Sequence, residues 1–265
     1  MNPLKAILAH RTIPEVFDLD RNSAGSISVY RKIIDDNIFL KEVYDGWYRR
    51  FLPSVEATRS LDLPMIELGC GQSHLKNFIP EVIKTDVVKH DNVDVVVNAE
   101  TLPYEDNGLR AIFMVEVFHH LPDPGKFLSE VERCLSPGGR LVMIEPSNSP
   151  LSAFLVRKFH RNEYYDDRIS DWKNPVVGRL NHANNAIPSI VFIRDRKKME
   201  SLFPHLRVCE TSYHTFLMYL MSGGFSYYPF LPKACFSLVK FADFALTPFT
   251  EWLSTAMTIV VEKTP

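Results

Sequence analysis

Residues 64–74, Pro-Met-Ile-Glu-Leu-Gly-Cys-Gly-Gln-Ser-His, constrain this chain more than any other stretch, and Val82-Ile83-Lys84-Thr85-Asp86 completes them. A short apolar run breaks into two glycines one residue apart, a helix-compatible segment follows, and a second apolar run ends on a carboxylate. Strand, tight turn, helix, strand and acid make up the unit with which open α/β sheets take an adenosine-containing ligand. The glycines let the backbone approach the ligand where a side chain would collide, and the terminal acid can accept both ribose hydroxyls. Two details narrow the ligand. A pyrophosphate-binding turn has a third glycine, whereas His74 stands three residues after Gly71. Glu67, two residues before Gly69, would meet a pyrophosphate with like charge, a conflict that a cationic or zwitterionic ligand avoids.

Composition removes several classes. The 265 residues carry 30 Lys and Arg against 32 Asp and Glu, so no basic excess points to nucleic acid. Cys70, Cys134, Cys209 and Cys235 show no C-x-x-C spacing, so neither a metal site nor a disulfide framework is expected. Met1-Asn2-Pro3-Leu4-Lys5 lacks the apolar core of a signal peptide, and no uncharged run reaches the roughly 18 residues that span a bilayer, which points to a cytoplasmic protein.

The rest of the chain falls in order around the glycine turn. Ile33, Ile34, Ile38, Phe39, Val43, Trp47 and Phe51 recur at helical spacing against Lys32, Lys41, Glu42, Asp45 and Arg49, which predicts amphipathic helices ahead of the first strand. From Met65 onward apolar runs alternate with helical patterns, the signature of a mostly parallel sheet with crossover helices. Strands are predicted at 65–68, 82–87, 93–97, 111–117, 140–144, 207–213 and 256–262. Helices are predicted at 75–79, at 127–135, where Pro137-Gly138-Gly139 stops them, and near 194–203.

Four motifs in this span carry a family resemblance: Glu67-Leu68-Gly69-Cys70-Gly71, Asn98-Ala99-Glu100-Thr101-Leu102-Pro103-Tyr104, Phe118-His119-His120-Leu121-Pro122-Asp123, and Leu135-Ser136-Pro137-Gly138-Gly139-Arg140-Leu141. In this order and spacing the chain resembles the class I S-adenosylmethionine (SAM) methyltransferases of the type 11 branch over roughly residues 62–147. The resemblance implies a Rossmann-like seven-stranded, mostly parallel sheet with an antiparallel last strand, helices on both faces, an N-terminal helical cap over 1–60 and a cofactor domain over 61–265. It implies a methyl transfer (EC 2.1.1.-) that consumes SAM and releases S-adenosylhomocysteine. Carried over residue by residue, it makes Glu67, Gly69, Cys70, Gly71, Asp86, Val87, Asn98, Ala99 and Glu116 the expected cofactor contacts. Asn98 departs from the aspartate that usually receives the adenine amino group; its amide oxygen still accepts that bond, more weakly by about 1 kcal/mol.

Two long connections, at about 148–193 and 214–254, interrupt the pattern, and excess of this length in an α/β domain is usually functional. Both leave from or return to the carboxyl ends of the parallel strands, where such sheets bind ligands, so both are expected to build the acceptor pocket. In the second, Leu231, Cys235, Leu238, Val239, Ala242 and Leu246 form one apolar helical face, compatible with packing on the body or a dimer mate, with a lid, or with a membrane surface. The expected acceptor is a small or lipid-like, partly apolar molecule; nucleic acid is not expected, and a peripheral membrane contact and a monomer or homodimer are left open. His120, His182 and Glu145 are the candidate proton acceptors. A catalytically silent SAM-binding partner subunit and an NAD-dependent oxidoreductase are the rival classes.

Overall fold

A computed structural model describes residues 11–17, 19–20, 23, 25–159, 163–174, 183–214 and 216–265. After a single turn at Pro14–Phe17 come helices α1 (Gly25–Asp36), α2 (Ile38–Arg49) and α3 (Leu52–Ala57). The sheet follows with β1 (Met65–Leu68), β2 (Ile83–Asp86), β3 (Val95–Val96), β4 (Leu109–Val115), α4 (Pro124–Cys134), β5 (Leu135–Pro146) and α5 (Pro150–Phe159). The carboxyl-terminal third holds α6 (Arg196–Leu202), β6 (Leu206–His214), α7 (Leu217–Ser222), α8 (Phe236–Ala245), α9 (Thr250–Leu253) and β7 (Ala256–Lys263).

The seven strands lie in the order β3-β2-β1-β4-β5-β7-β6, parallel except for β7, which runs antiparallel to both its neighbours. Residues alternate between two cores because successive side chains of a strand point to opposite faces. Ile66, Leu68, Ile112, Met114, Leu141 and Met143 pack with α4 and the helical run 187–203 on one face. Met65, Ala111, Phe113, Val142 and Ile144 pack with α2, α7 and α8 on the other. Helices of 1–60 and strands of 61–265 therefore share one core, in which Phe51 stacks on Phe113 at 4.9 Å between ring centroids.

The differences from the sequence-based expectations have local causes. Between β1 and β2 only a single 3₁₀ turn forms, Leu75–Asn77, in place of a helix over 75–79, because Pro80 and the short span to Ile83 leave no length for α-helical turns. β4 spans 109–115 and not 111–117, since Glu116 takes a positive φ of 57° that no strand accommodates. β3 shrinks to two exposed residues at the sheet edge. β5 starts at 135, five residues early, its register against β4 shifting after Leu135. The first insertion contains α5, a two-residue parallel pair between Glu163–Tyr164 and Ala183–Asn184, and a π-helical turn at Ile190–Arg194 that leads into α6.

Candidate functional site

The glycine turn is built by contacts to β2. Cys70 N–H donates to Thr85 O at 2.9 Å, Gly71 N–H to Asp86 Oδ2 at 3.0 Å, and Thr85 Oγ1 to Glu67 O at 2.8 Å. Gly69 sits at φ +65°, and a Cβ there would lie 2.5 Å from Val117 Cγ2, so both conformation and space require glycine. Because the segment after Gly71 makes only one 3₁₀ turn, no helix N-terminus stands behind the glycines to offer a dipole to phosphate. Asp86 is 1% exposed, with Oδ1 accepting from Val88 N–H at 3.1 Å.

Glu67 is buried at 1% exposure, and its Oε2 has no hydrogen-bond partner among the described residues. Burial pushes its carboxyl up to about 7; a bond from Ser73 and the charge of Lys84 oppose the shift, and Asp86 adds to it. Cys70, Asp86 and His90 place their ligand atoms within 4.8 Å of one another. Burial, together with the Glu67 and Asp86 charges, pushes the Cys70 thiol far up.

Past β4 the backbone is strained and then pinned. Glu116, at positive φ, donates N–H to Ile144 O at 2.8 Å, and the 3₁₀ turn Phe118–His120 follows. Glu145, 0% exposed, accepts from Val117 N–H at 2.9 Å, Phe118 N–H at 2.7 Å and His119 N–H at 3.3 Å, and lies 2.7 Å from His119 Nδ1. This carboxylate is thus spent on holding the loop, a positioning part and not the proton-accepting one expected of it. His120 stacks on His119 with ring centroids 4.2 Å apart. Asn174 Nδ2 clamps the same loop by donating to His119 O and Leu121 O, each at 2.9 Å. His182 lies outside the described residues.

One cavity of about 1270 Å³ gathers these parts. Glu67, Gly69, Cys70, Gly71, Asp86, Val87, Asn98, Ala99 and Glu116 all line it, as do His119 and His120, whereas Glu145 does not. Asn98 Oδ1 also accepts from Glu100 N–H at 2.9 Å, closing a small turn. Further wall comes from the N-terminal helices, expected as a cap, and from the second insertion, expected to build the acceptor pocket: Tyr30 of α1, Tyr44, Trp47 and Tyr48 of α2, and Tyr219, Phe225, Tyr227 and Phe230. Tyr30 and Phe225 meet at 4.8 Å, Ile13 N–H donates to Ser226 O at 3.0 Å, and Tyr228 N–H to Arg11 O at 2.8 Å, so the N-terminal segment and the insertion close together. Burial and the nearby Glu116 charge push the Tyr44 phenol far up. The direct contact between the N-terminal segment and 223–230 was not legible in the sequence.

Residues 66–143 match the family model described as "Methyltransferase domain". This stretch is a class I methyltransferase domain. Methyltransferases of this family take the transferred group from SAM. Among curated relatives, phthiotriol/phenolphthiotriol dimycocerosates methyltransferase 1 of Mycobacterium ulcerans is 30% identical over 138 residues, 49% of this chain and 49% of that protein. The ubiquinone/menaquinone biosynthesis C-methyltransferase UbiE of Brucella canis is 42% identical over 92 residues, 34% of this chain and 31% of its own. This chain thus spans half or less of the length of the curated relatives it matches. Geranyl diphosphate C-methyltransferase from Streptomyces coelicolor A3(2) has the same fold, with a TM-score of 0.51 at 11% identity over 96% of this chain and 89% of that one.

Proposed function

We propose that this methyltransferase moves the methyl group of SAM onto a small, lipid-like acceptor that is apolar over a substantial part of its surface. The observation that carries this reading is the single cavity of about 1270 Å³, polar where the glycine turn and Asp86 line it and aromatic where the second insertion closes it. Pockets for one drug-sized ligand run to about 300–1,000 Å³, so this volume suits two molecules side by side. The residues fit the cofactor: a buried carboxylate oxygen without a partner at Glu67 suits an ammonium, the glycine turn admits close backbone approach, and Asp86 puts a carboxylate in the cavity wall beside that turn, where ribose hydroxyls can find an acceptor.

When bound, SAM supplies an electrophilic methyl on sulfur. Glu67, Gly69, Cys70 and Gly71 would hold its amino-acid end, Asp86 and Val87 its ribose, and Asn98 and Ala99 its adenine, with Glu116 a further cofactor contact. The helices of residues 1–60 cap the chamber and exclude water through Tyr30, Tyr44 and Trp47. Methyl transfer is an in-line displacement, so the chief work of the walls is alignment, which can contribute about 7 kcal/mol or more. His120 accepts a proton where the acceptor must lose one, its ring held against His119, which Glu145 orients.

Methyl-labelled SAM offered with a prenyl diphosphate, a long-chain phenol, a quinol and a water-soluble sugar nucleotide tests the reading. Label is expected in one of the apolar acceptors. Transfer only to the sugar nucleotide overturns the acceptor class, and cofactor binding without transfer to a broad acceptor panel would make the chain a silent SAM-binding subunit.

A further inference from the structure

Helix α8 presents large apolar side chains to the outside of the molecule. Of its charged residues, Asp243 is partly buried, its Oδ1 accepting Leu217 N–H at 2.7 Å, while Lys240 lies at the surface and bonds Glu42 Oε1 at 2.6 Å. Its outward face consists of Leu238, Phe241 and Phe244, which are 68%, 67% and 75% exposed. The turns that follow add Phe249 and Trp252, 55% and 67% exposed. The sequence grouped Leu238 with Leu231, Cys235, Val239, Ala242 and Leu246 on one apolar face, of which only Val239 is buried. α9 packs against α5, whose Phe154 is 57% exposed, so the apolar surface runs from one insertion to the other. An aromatic surface of this extent on a water-soluble face marks a site of contact.

Among the described residues, cationic side chains outnumber carboxylates around it. Lys233 lies one turn before α8, and Arg157 and Lys158 share the outward face of α5 with Phe154, three and four residues on; the carboxylates beside them are Glu251 and the partly exposed Asp167, 4.0 Å from Arg157. The opposite face of α5, with Ser152, Leu155 and Val156, lines the methyl-transfer cavity. No helix among the described residues is long and apolar enough to cross a membrane.

We propose that the aromatic face of α8, α9 and α5 docks peripherally on an anionic lipid bilayer. Phenylalanines enter the acyl boundary, Trp252 sits at the level of the head groups, and the cationic rim meets their charge. A second copy of the chain fits the face less well, because a twofold interface would bring the rim of lysine and arginine against its own image. The docking rests on the outer surface and does not depend on the acceptor reading, although it would bring the chamber behind α5 to the membrane.

Flotation of the full chain with vesicles of equal parts phosphatidylcholine and phosphatidylglycerol tests the docking. Co-flotation that weakens as salt rises is expected, and the combined change Phe241→Ser, Phe244→Ser and Trp252→Ser should lower bound protein by about tenfold or more. Cofactor affinity by calorimetry should be unchanged in that variant, which both shows that it folds and keeps the result separate from the activity. In the unaltered protein, lipids brominated in their acyl chains should quench the exposed Trp252, while Trp47 and Trp172, 3% and 7% exposed, stay bright. Absence of flotation and quenching, or a triple variant that floats as well as the parent, overturns the proposal. A dimer that the triple change converts to monomer, without lipid contact, would make the face an interface between copies.

Discussion

At the scale of single residues, the site is set by groups that water would ordinarily satisfy. Burial raises the Glu67 carboxyl from 4.5 to about 7, so between those values the folded chain holds a proton that the unfolded chain has lost. Its contribution to stability is therefore fully present below pH 4.5 and lost as pH rises to about 7. An ammonium beside it favours the ionised form, so binding expels the proton. SAM affinity should rise with pH up to about 7 with measurable proton release, and Glu67→Gln should weaken binding and flatten the profile; calorimetry in buffers of different ionisation enthalpy reads both. A Gly69→Ala change forces a side chain into φ +65° against Val117, 2.5 Å away. A loss of about 1–3 kcal/mol in denaturant unfolding is expected. Pairing it with Val117→Ala should recover the part due to collision and leave the conformational part.

Elements meet through a few side chains that serve two of them. Asn37 caps α2 by accepting Leu40 N–H at 3.1 Å, and its Nδ2 donates to Ser222 O at the end of α7, 2.8 Å away. Asn37→Ala removes a cap and a buried tie between the N-terminal helices and the second insertion, so stability should fall by about 1–2 kcal/mol, with a larger proportional loss in acceptor KM than in cofactor affinity. Glu145 does the same for β5 and the loop after β4. Glu145→Ala strands the buried Val117 and Phe118 N–H groups, each costing about 1–3 kcal/mol, and should depress kcat while leaving the pKa of the pH–rate profile where it was. A shifted acid limb would instead show that Glu145 exchanges the proton itself.

For the whole molecule, the two main cores lie on either face of the sheet, while Ile13, Val16 and Tyr30 form a satellite against Phe225. Replacing Ile13 and Val16 by Ser should leave one cooperative unfolding transition, because both belong to the satellite and to neither main core, yet raise acceptor KM about tenfold by opening the chamber wall. Much of this molecule was legible in the chain. The Gly69–Gly71 turn, Asp86 and most of the strands come from local signals, the Asn98 loop from the family resemblance, and every expected cofactor contact lines the cavity. The clamp of Asn174 on the His119 loop and the tie of Asn37 to Ser222 were not legible, since each joins segments far apart in sequence whose residue types are unremarkable alone.

The division follows from the range of the forces. Backbone conformation and the alternation of apolar residues are local, so the sequence by itself determined where glycine must stand, which runs become strands and that the sheet is doubly wound. Burial is a property of the packed whole. Only the tertiary structure decided that Glu67 sits unpaired in the cavity wall, that Glu145 holds a loop, that the N-terminal segment closes against 223–230, and that α8 turns its aromatic side outward. A helix carries apolar residues on several faces, and what packs beneath it selects which of them is buried: here Val239 is drawn inward with the tethered Asp243, leaving Phe241 and Phe244 to face out.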